Sequence, residues 1–201
     1  DYATFTSKHD NIYGEIIYGS TGNPQPLDWS EIRLYGIGEF DYCRLRYGGF
    51  ISGWPGGCNI RFSYYSSGHF NNSVSEYSYY GLSANDCSVE ISNSSFENNM
   101  EYAAYLKDVT IRSYPYNSAT GNGIDAFGIS GAVTEDMTWM ENSPSIITVL
   151  NGTVTIDDNI VCTIPAGTII KSDGTWQFIV NGTLDVNGTE TNPVIFTSFK
   201  D

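Results

Sequence analysis

Short runs of alternating apolar and polar residues, separated by Gly, Asn, Ser and Asp, cover most of the chain. Runs such as "SVEIS" and "TVTID" place an apolar residue at every second position, which is the two-residue period of a β-strand. No long segment has apolar residues at the i, i+3, i+4 and i+7 spacing of an amphipathic helix. The pattern therefore predicts an all-β protein built from many short strands.

The chain divides by regularity into residues 1–143, whose strands are irregular, and residues 144–201. In the second part we predict a strand on each side of a turn at Asn151-Gly152, because Asn-Gly favours tight turns. Further strands are predicted near 160–164, 168–171, 176–180, 183–186 and 194–198. Strands this short, with so many corners, fit a β-solenoid better than a sandwich. We predict one domain over residues 1–201, with roughly eight to ten stacked rungs.

The two ends of the chain repeat each other. "DYATFTSKHD" at the start and "NPVIFTSFKD" at the end share Phe, Thr, Ser and Asp at an offset of 191 residues. Such a repeat indicates one unit of a longer array, or a subunit that joins its own copies end to end. The predicted edge strands of that joint contain Phe5, Thr6, Ser7, Ile195, Phe196, Thr197 and Ser198.

Two segments resemble known proteins. "VEISNSSFENNMEYAAYL" (89–106) resembles the repeat of right-handed parallel β-helix proteins, the pectate-lyase-like superfold, in an apolar-x-apolar strand, a polar corner, Phe96 and the pair Asn98-Asn99. "IPAGTIIKSDGTWQFIVNGTLDVNGTETNPVIFTS" (164–198) resembles the opening rungs of bacterial and archaeal surface proteins with this fold. In those proteins a "W-x-x-I" and a "Y-x-x-I-R-Y-G-G" motif follow, and here Trp29 with Ile32 and "YCRLRYGG" (42–49) stand at the other end of the chain. The resemblance implies a β-helix and a cell-surface location.

Composition narrows the function classes. Lys plus Arg is 9 and Asp plus Glu is 23, so the formal net charge is −14. This charge argues against nucleic acid as a partner, because binding phosphates needs clustered Lys and Arg. Charged residues make up only 16% of the chain, and no run of apolar residues is long enough to span a membrane. These features favour an extracellular protein, either a mature form or an internal fragment of a longer chain.

The cysteines and the N-glycosylation sequons are the candidate sites of covalent modification. Cys43, Cys58, Cys87 and Cys162 form no CxxC pair, so they are either two disulfides in an oxidising compartment or free, buried thiols. Five sequons are candidate glycosylation sites, at Asn71, Asn93, Asn151, Asn181 and Asn187. We predict no cofactor and no metal site, because zinc-ligand spacings, nucleotide-binding loops and EF-hand motifs are missing from the sequence.

An enzyme is the third-ranked hypothesis. A glycosidase needs two carboxyls across a cleft, and the acidic pairs Asp157-Asp158 and Glu135-Asp136 both lie in turn-like contexts. Gly68-His69 matches only part of the pectin hydrolase pattern. Arg44 and Arg46 share one face of a strand and are expected to form a solvated salt-bridge ladder with Glu39, Asp41 or Glu76.

The aromatic residues support the second-ranked hypothesis, an adhesin or carbohydrate-binding module. Tyr47, Tyr65 and Tyr80 each precede a small residue and are candidates for one aromatic stack. Possible contacts with glycans or partners are Trp54, Tyr64, Tyr65, Tyr79, Tyr80, Tyr114 and Tyr116. The first-ranked hypothesis is a structural subunit of an extracellular filament, sheath, stalk or surface layer, whose partners are copies of itself. Catalytic residues are not assigned.

Overall fold

The computed structural model of the protein describes residues 2–50, 56–111, 116–139 and 146–201. These residues form nineteen β-strands and no α-helix. In chain order the strands are β1 (Ala3–Phe5), β2 (Ile32–Leu34), β3 (Ile37–Asp41), β4 (Cys43–Arg46), β5 (Cys58–Ser63), β6 (Ser67–Asn71), β7 (Val74–Glu76), β8 (Tyr80–Ser92), β9 (Ser95–Glu97), β10 (Tyr102–Ile111), β11 (Ser118–Thr120), β12 (Ile124–Val133), β13 (Met137–Thr138), β14 (Ile147–Ile156), β15 (Val161–Pro165), β16 (Ile169–Ser172), β17 (Phe178–Val180), β18 (Thr183–Asn187) and β19 (Ile195–Ser198).

Neighbouring strands in the described residues are parallel, and inner strands such as β5 and β12 pair with the strands one turn before and after them. Parallel neighbours cannot be joined by a tight hairpin, so the chain travels around the molecule between them. The result is a β-solenoid of about six turns with an incomplete turn at each end. A turn takes 22 residues where Ile60 pairs with Leu82 and Leu82 with Ala104. Eight to ten rungs were predicted, but residues 6–31 contain no strand and the coil has about six turns.

The coil has three faces. The first face stacks β2, β5, the first halves of β8, β10, β12 and β14, then β16 and β19. The second face stacks β3, β6, the second halves of the same four long strands, and β17. The third face is divided into a five-stranded sheet, β1-β4-β7-β9-β11, and a three-stranded sheet, β13-β15-β18.

Residues with positive φ make the bends at twelve corners, and these residues align from turn to turn. Between the second and third faces they are Tyr42, Asn72, Asn93 and Tyr116; between the third and first, Tyr47, Tyr77, Asn98 and Gly121; between the first and second, Tyr65, Asp86, Asp108 and Gly131. Asn, Asp and Gly tolerate this backbone conformation, which L residues otherwise avoid. Tyrosine does not share that tolerance, so its use at five of these corners calls for another reason.

Inward-facing residues form continuous columns along the axis. One column on the first face runs Ile32, Ile60, Leu82, Ala104, Phe127, Thr148, Ile170 and Phe196. The members in the middle are buried, whereas Phe196 at the end is 49% exposed. Burial of apolar side chains in such columns is the main stabilising contribution to a solenoid, because each turn covers its neighbour.

Two ladders of buried polar side chains satisfy the backbone at the corners. At the corner that leads to the third face, serine hydroxyls accept hydrogen bonds from backbone amides of the turn before. Ser73 Oγ accepts from the amide of Cys43, and Ser94 Oγ accepts from the amide of Ser73. At the next corner Asn99 Oδ1 accepts from the amide of Ser78, and Asn99 Nδ2 donates to the carbonyl of Ser75 and to Asn122 Oδ1. Each bend would otherwise bury unpaired backbone groups.

Two predictions about local structure are wrong. Asn151-Gly152 is not a turn between two strands: it lies inside β14, at a bulge where Leu150 and Val154 pair with Ile129 and Gly131. In a parallel coil this segment turns a corner and does not reverse direction. The predicted stack of Tyr47, Tyr65 and Tyr80 does not form either, because Tyr47 and Tyr65 lie at different corners of the coil and Tyr80 lies in β8 on the first face. The predicted strands after residue 160 are confirmed to within two residues.

The polar ladder gives a test of the fold. We expect Asn99→Ala to lower the free energy of unfolding by about 2–4 kcal/mol, because it leaves the buried Ser78 amide and Ser75 carbonyl with fewer partners. Chemical denaturation monitored by circular dichroism measures the change. Met100→Ala, at the exposed neighbouring position, is the control and is expected to change stability by less than about 0.5 kcal/mol. Equal losses for the two variants would contradict this account of the ladder.

Candidate functional site

The repeated sequences at the two ends form the same local structure. Thr6 Oγ1 donates to Asp10 Oδ2 at 2.7 Å, and Thr197 Oγ1 donates to Asp201 Oδ2 at 2.6 Å. The amide of each Asp also donates to the carbonyl of the Ser three residues before it, at 3.0 Å and 3.1 Å. The repeat is therefore structural, and each end of the coil carries a strand followed by a turn that closes on an Asp.

The two repeats lie on different faces. β1, which contains Phe5, is the first strand of the third face, whereas β19, which contains Phe196, is the last strand of the first face. The sequence analysis treated them as equivalent strands. Direct stacking of β19 on β1 would therefore require the next copy to be rotated by one face.

The N-terminal repeat is buried in a charged cluster. Arg46 Nη1 lies 2.9 Å from Asp10 Oδ2, and Arg46 Nε lies 2.8 Å from Glu76 Oε1 in an ion pair that does not have hydrogen-bond angles. Arg44 Nη1 also donates to Glu76 Oε1 at 2.6 Å. The side chains of Asp10, Arg46 and Glu76 are 0%, 8% and 5% exposed. The predicted ladder thus exists with Glu76, but it is buried and not solvated.

Aromatic rings enclose this cluster. The Arg46 guanidinium lies 4.9 Å from the ring centroids of both Tyr13 and Tyr47, and 5.5 Å from that of Tyr77. Tyr47 and Tyr77, which bend adjacent turns, stack with centroids 5.1 Å apart. Cation–π contact and exclusion of water explain how a guanidinium is held here with two carboxylates. Sequence analysis missed Asp10 and Tyr13, because they reach Arg46 from a segment without regular strands.

Trp29 packs against the end of β4. Its Nε1 donates to the carbonyl of Arg46 at 2.7 Å, and its ring lies against Gly48, where a Cβ would approach within 2.9 Å. Of the other two predicted ladder partners, Asp41 pairs instead with His69, at 2.7 Å between Oδ2 and Nε2, and Glu39 forms an ion pair with neither Arg44 nor Arg46. Gly68 is required by close contact with the backbone of Gly38. The Gly68-His69 pair is therefore explained by packing.

The C-terminal end has an exposed apolar surface. The last strand on each face leaves inward residues uncovered: Val180 on the second face, Val186 on the third and Phe196 on the first are each 43–49% exposed. Asp201 is also exposed, unlike its counterpart Asp10. At the other end Phe5 is 44% exposed, and Arg33 on β2 pairs with Glu31 while keeping 43% of its side chain exposed. Both ends present strand edges without a neighbour on one side.

The predicted aromatic contacts fall into two groups. Tyr64, Tyr65 and Tyr116 are 60–87% exposed at corners, and Tyr64 stacks with Tyr35 at 6.3 Å. Tyr79 and Tyr80 instead pack in a cluster along the first face, where Tyr80 lies 5.2 Å from Tyr105. Burial raises the pKa of the Tyr80 hydroxyl above its ordinary value. Trp54 and Tyr114 lie outside the described residues.

The cysteines are free thiols. Cys43, Cys58, Cys87 and Cys162 are all buried, so of the two alternatives the structure has the second, and the disulfide prediction is corrected. Burial raises the pKa of Cys87 and of Cys162 to about 11. These thiols therefore stay protonated at neutral pH.

The sequon asparagines differ in exposure. Asn93, Asn181 and Asn187 are exposed, whereas Asn71 and Asn151 are half-buried. Asn71 Oδ1 accepts from Ser92 Oγ at 2.7 Å, so it takes part in packing between turns. Glycosylation at all five positions stays a prediction.

The acidic pairs sit in turns. The carbonyl of Asp157 accepts from the amide of Ile160, and Asp136 Oδ1 accepts from the amide of Val161. The Asp136 bond accounts for an acidic side chain at one of the four positions, whereas the Asp157 bond uses only the backbone. Among the described residues, no group of three His, Cys, Asp or Glu side chains is placed to hold a metal ion.

The fold is compatible with a parallel β-helix, as the resemblance implied. No protein-family model, curated protein or solved structure matches this chain. In the described ranges, no helix has the length and apolar character needed to cross a membrane.

The buried cluster gives a second test. We expect Asp10→Ala to destabilise the protein by about 3–5 kcal/mol, because it leaves the buried Arg46 charge with less compensation. Hydrogen exchange should show loss of protection first in β1, which precedes the cluster. Asp41→Ala removes an exposed pair with His69 and is the control, expected to cost less than about 1 kcal/mol. Protection of β1 unchanged by Asp10→Ala would contradict the role assigned to the cluster.

Proposed function

We propose that the protein is a structural subunit of an extracellular or cell-surface assembly that grows by end-to-end stacking of β-solenoid units. The observation that carries this proposal is the pair of open ends. Each has unpaired strand edges beside partly uncovered residues of the core columns, such as Phe5 at one end and Phe196 at the other.

Open edges and uncovered columns favour association for different reasons. Unpaired backbone N–H and C=O groups of an edge strand are a template for another strand. Soluble solenoids usually cover their last turn with a polar cap, and an exposed apolar patch marks an interaction surface. Contact between two different ends of identical units is heterologous, so it continues into a filament unless the units close into a ring.

Composition supports the location. Few charged side chains and many Ser, Thr, Asn and Tyr residues are typical of extracellular β-rich proteins, and three exposed sequon asparagines are available to a host with the glycosylation machinery. The partner is a further copy of this chain, either as a separate molecule or as the next repeat of a longer chain. Enzymatic activity is not proposed.

A substitution at the C-terminal end tests the proposal. We expect Phe196→Lys to abolish or strongly reduce assembly, because it places a charge in the column that the next unit would cover. Sedimentation velocity at several concentrations measures the assembled fraction. The control is Tyr65→Lys, at an 87% exposed corner away from the ends of the columns, which should leave assembly unchanged. A monomer at all concentrations in the unmodified protein would contradict the proposal.

The exposed tyrosines support a second candidate function, carbohydrate binding. Tyr64 and Tyr65 both have positive φ, at 47° and 62°, which is costly for a bulky residue, and Tyr65 has little contact to offset that cost. Together with Tyr35 they form an exposed aromatic surface of the kind on which sugar rings stack.

This second candidate has its own test. We expect the double variant Tyr64→Asn, Tyr65→Asn to keep or raise stability, because Asn tolerates the corner conformation, while losing any binding seen on a glycan array. Tyr116→Asn, at an exposed corner on another edge of the coil, is the control. An array without signal for the unmodified protein would rule out this candidate.

A further inference from the structure

We propose that one copy joins the next with the faces of the coil aligned, so that β19 pairs in parallel with β2 of the next copy while β18 pairs with its β1. This inference rests on the proposed function and specifies the joint. It differs from the simplest interpretation of the repeated ends, in which β19 would stack on β1.

The number of strands on each face supports aligned faces. The first face contains eight strand positions from β2 to β19, and the third face contains five plus three, which is also eight. A second copy translated by eight strand spacings along the axis therefore meets both open edges at once. The second face has seven positions, so the joint leaves one position open there, between β17 and β3 of the next copy.

The core columns continue across this joint. On the first face the column that ends in Phe196 begins with Ile32, and the adjacent column that ends in Ser198 begins with Leu34. Aligned faces place the exposed ring of Phe196 on Ile32, which is itself only partly buried. Covering this ring removes apolar surface from water, which favours association.

The third face has a pair of inward residues at each end. Leu184 and Val186 continue the inward columns of Cys162 and Ile164, and Ala3 and Phe5 begin the columns of Cys43 and Leu45. Both pairs are separated by two residues, so both can meet in one parallel register. Val186 and Phe5 are each 44% exposed in the separate copy, and the joint covers both.

The proposed joint also forms an ion pair like the one between Asp10 and Arg46. One residue beyond the Phe5–Leu45 pair, Thr6 lies level with Arg46, and Arg46 binds the Asp10 that Thr6 contacts. In the proposed joint Phe196 pairs with Ile32, so Thr197 lies level with Arg33 of the next copy.

Thr197 contacts Asp201 as Thr6 contacts Asp10, so Asp201 is placed to bind Arg33 of the next copy. Arg33 keeps 43% of its side chain exposed and is available for this second carboxylate.

Engineered cysteine pairs test the register. Cα atoms of directly paired residues on neighbouring parallel strands are about 4.8 Å apart, within the range that a disulfide spans. We expect disulfide-linked multimers from the double variants Phe196→Cys, Ile32→Cys and Val186→Cys, Phe5→Cys after mild oxidation at pH 7.5. Each pair lies at opposite ends of one molecule, so a link between them joins two copies. The four native thiols are buried, so oxidation of the unmodified protein measures the disulfide-linked multimers that form without an engineered pair.

The matched control is Phe196→Cys, Phe5→Cys, which links copies only if β19 stacks on β1. Multimers from this control alone would overturn the aligned joint and leave the proposed function intact. Assembly of the unmodified protein without links in any of the three variants would also overturn the joint. A protein that stays monomeric without substitutions would overturn the proposed function itself.

A charge substitution separates specific pairing from general repulsion. Removing a carboxylate from units of charge −14 should favour their association, and Asp185→Asn, on the outward side of β18, is expected to do so slightly. Asp201→Asn removes the same charge but should weaken association about two- to fivefold, because it removes the partner of Arg33. Equal effects of the two variants would contradict the proposed ion pair.

Discussion

A parallel β-coil satisfies its backbone only when another turn lies above and below each strand. Within the coil this condition is met by the next turn of the same chain, as where Leu82 pairs with Ile60 on one side and with Ala104 on the other. At the two ends of the described coil, β1 to β3 and β17 to β19 each pair with a strand on one side only, so hydrogen-bonding edges and the last members of the core columns are uncovered together. The proposed assembly follows from this constraint, because another copy of the same coil supplies both the edge and the apolar surface.

The two ends meet this constraint differently although their sequences repeat. At the N-terminal end the Thr-Asp turn is enclosed by Arg46, Glu76 and three tyrosines, which anchor β1 to the coil. At the C-terminal end the same turn is exposed. The enclosed turn therefore has the environment that we propose for the C-terminal turn after assembly. In the proposed joint, Arg33 of the following copy takes the place of Arg46.

Much of the fold was accessible from the sequence. The alternation of apolar residues predicted the strands after residue 160, and the segment around Val89, Ile91 and Phe96 indicated a solenoid repeat. The Asn-Gly signal at Asn151 was misleading because the same dipeptide suits a bulge in a strand that turns a corner. Partners brought together by coiling, such as Asp10 with Arg46, are 36 residues apart and have no local signal in the sequence.

The face assignment was equally inaccessible from the sequence, because both copies of the Phe-Thr-Ser strand have the same local pattern. Whether such a strand belongs to the first or the third face depends on how many corners precede it, and the corners are made by single residues such as Tyr42 and Tyr47. Their positive φ is unusual for tyrosine, so composition does not reveal them. Only the stacked geometry shows that they align between turns.

Cryo-electron microscopy of material isolated without heating or reduction tests the central claim most directly. Eight strand positions at about 4.8 Å predict an axial repeat near 38 Å, with successive units related by translation and the ordinary twist of the coil. Filaments with this repeat would support end-to-end stacking with aligned faces. Dispersed single particles would contradict the account.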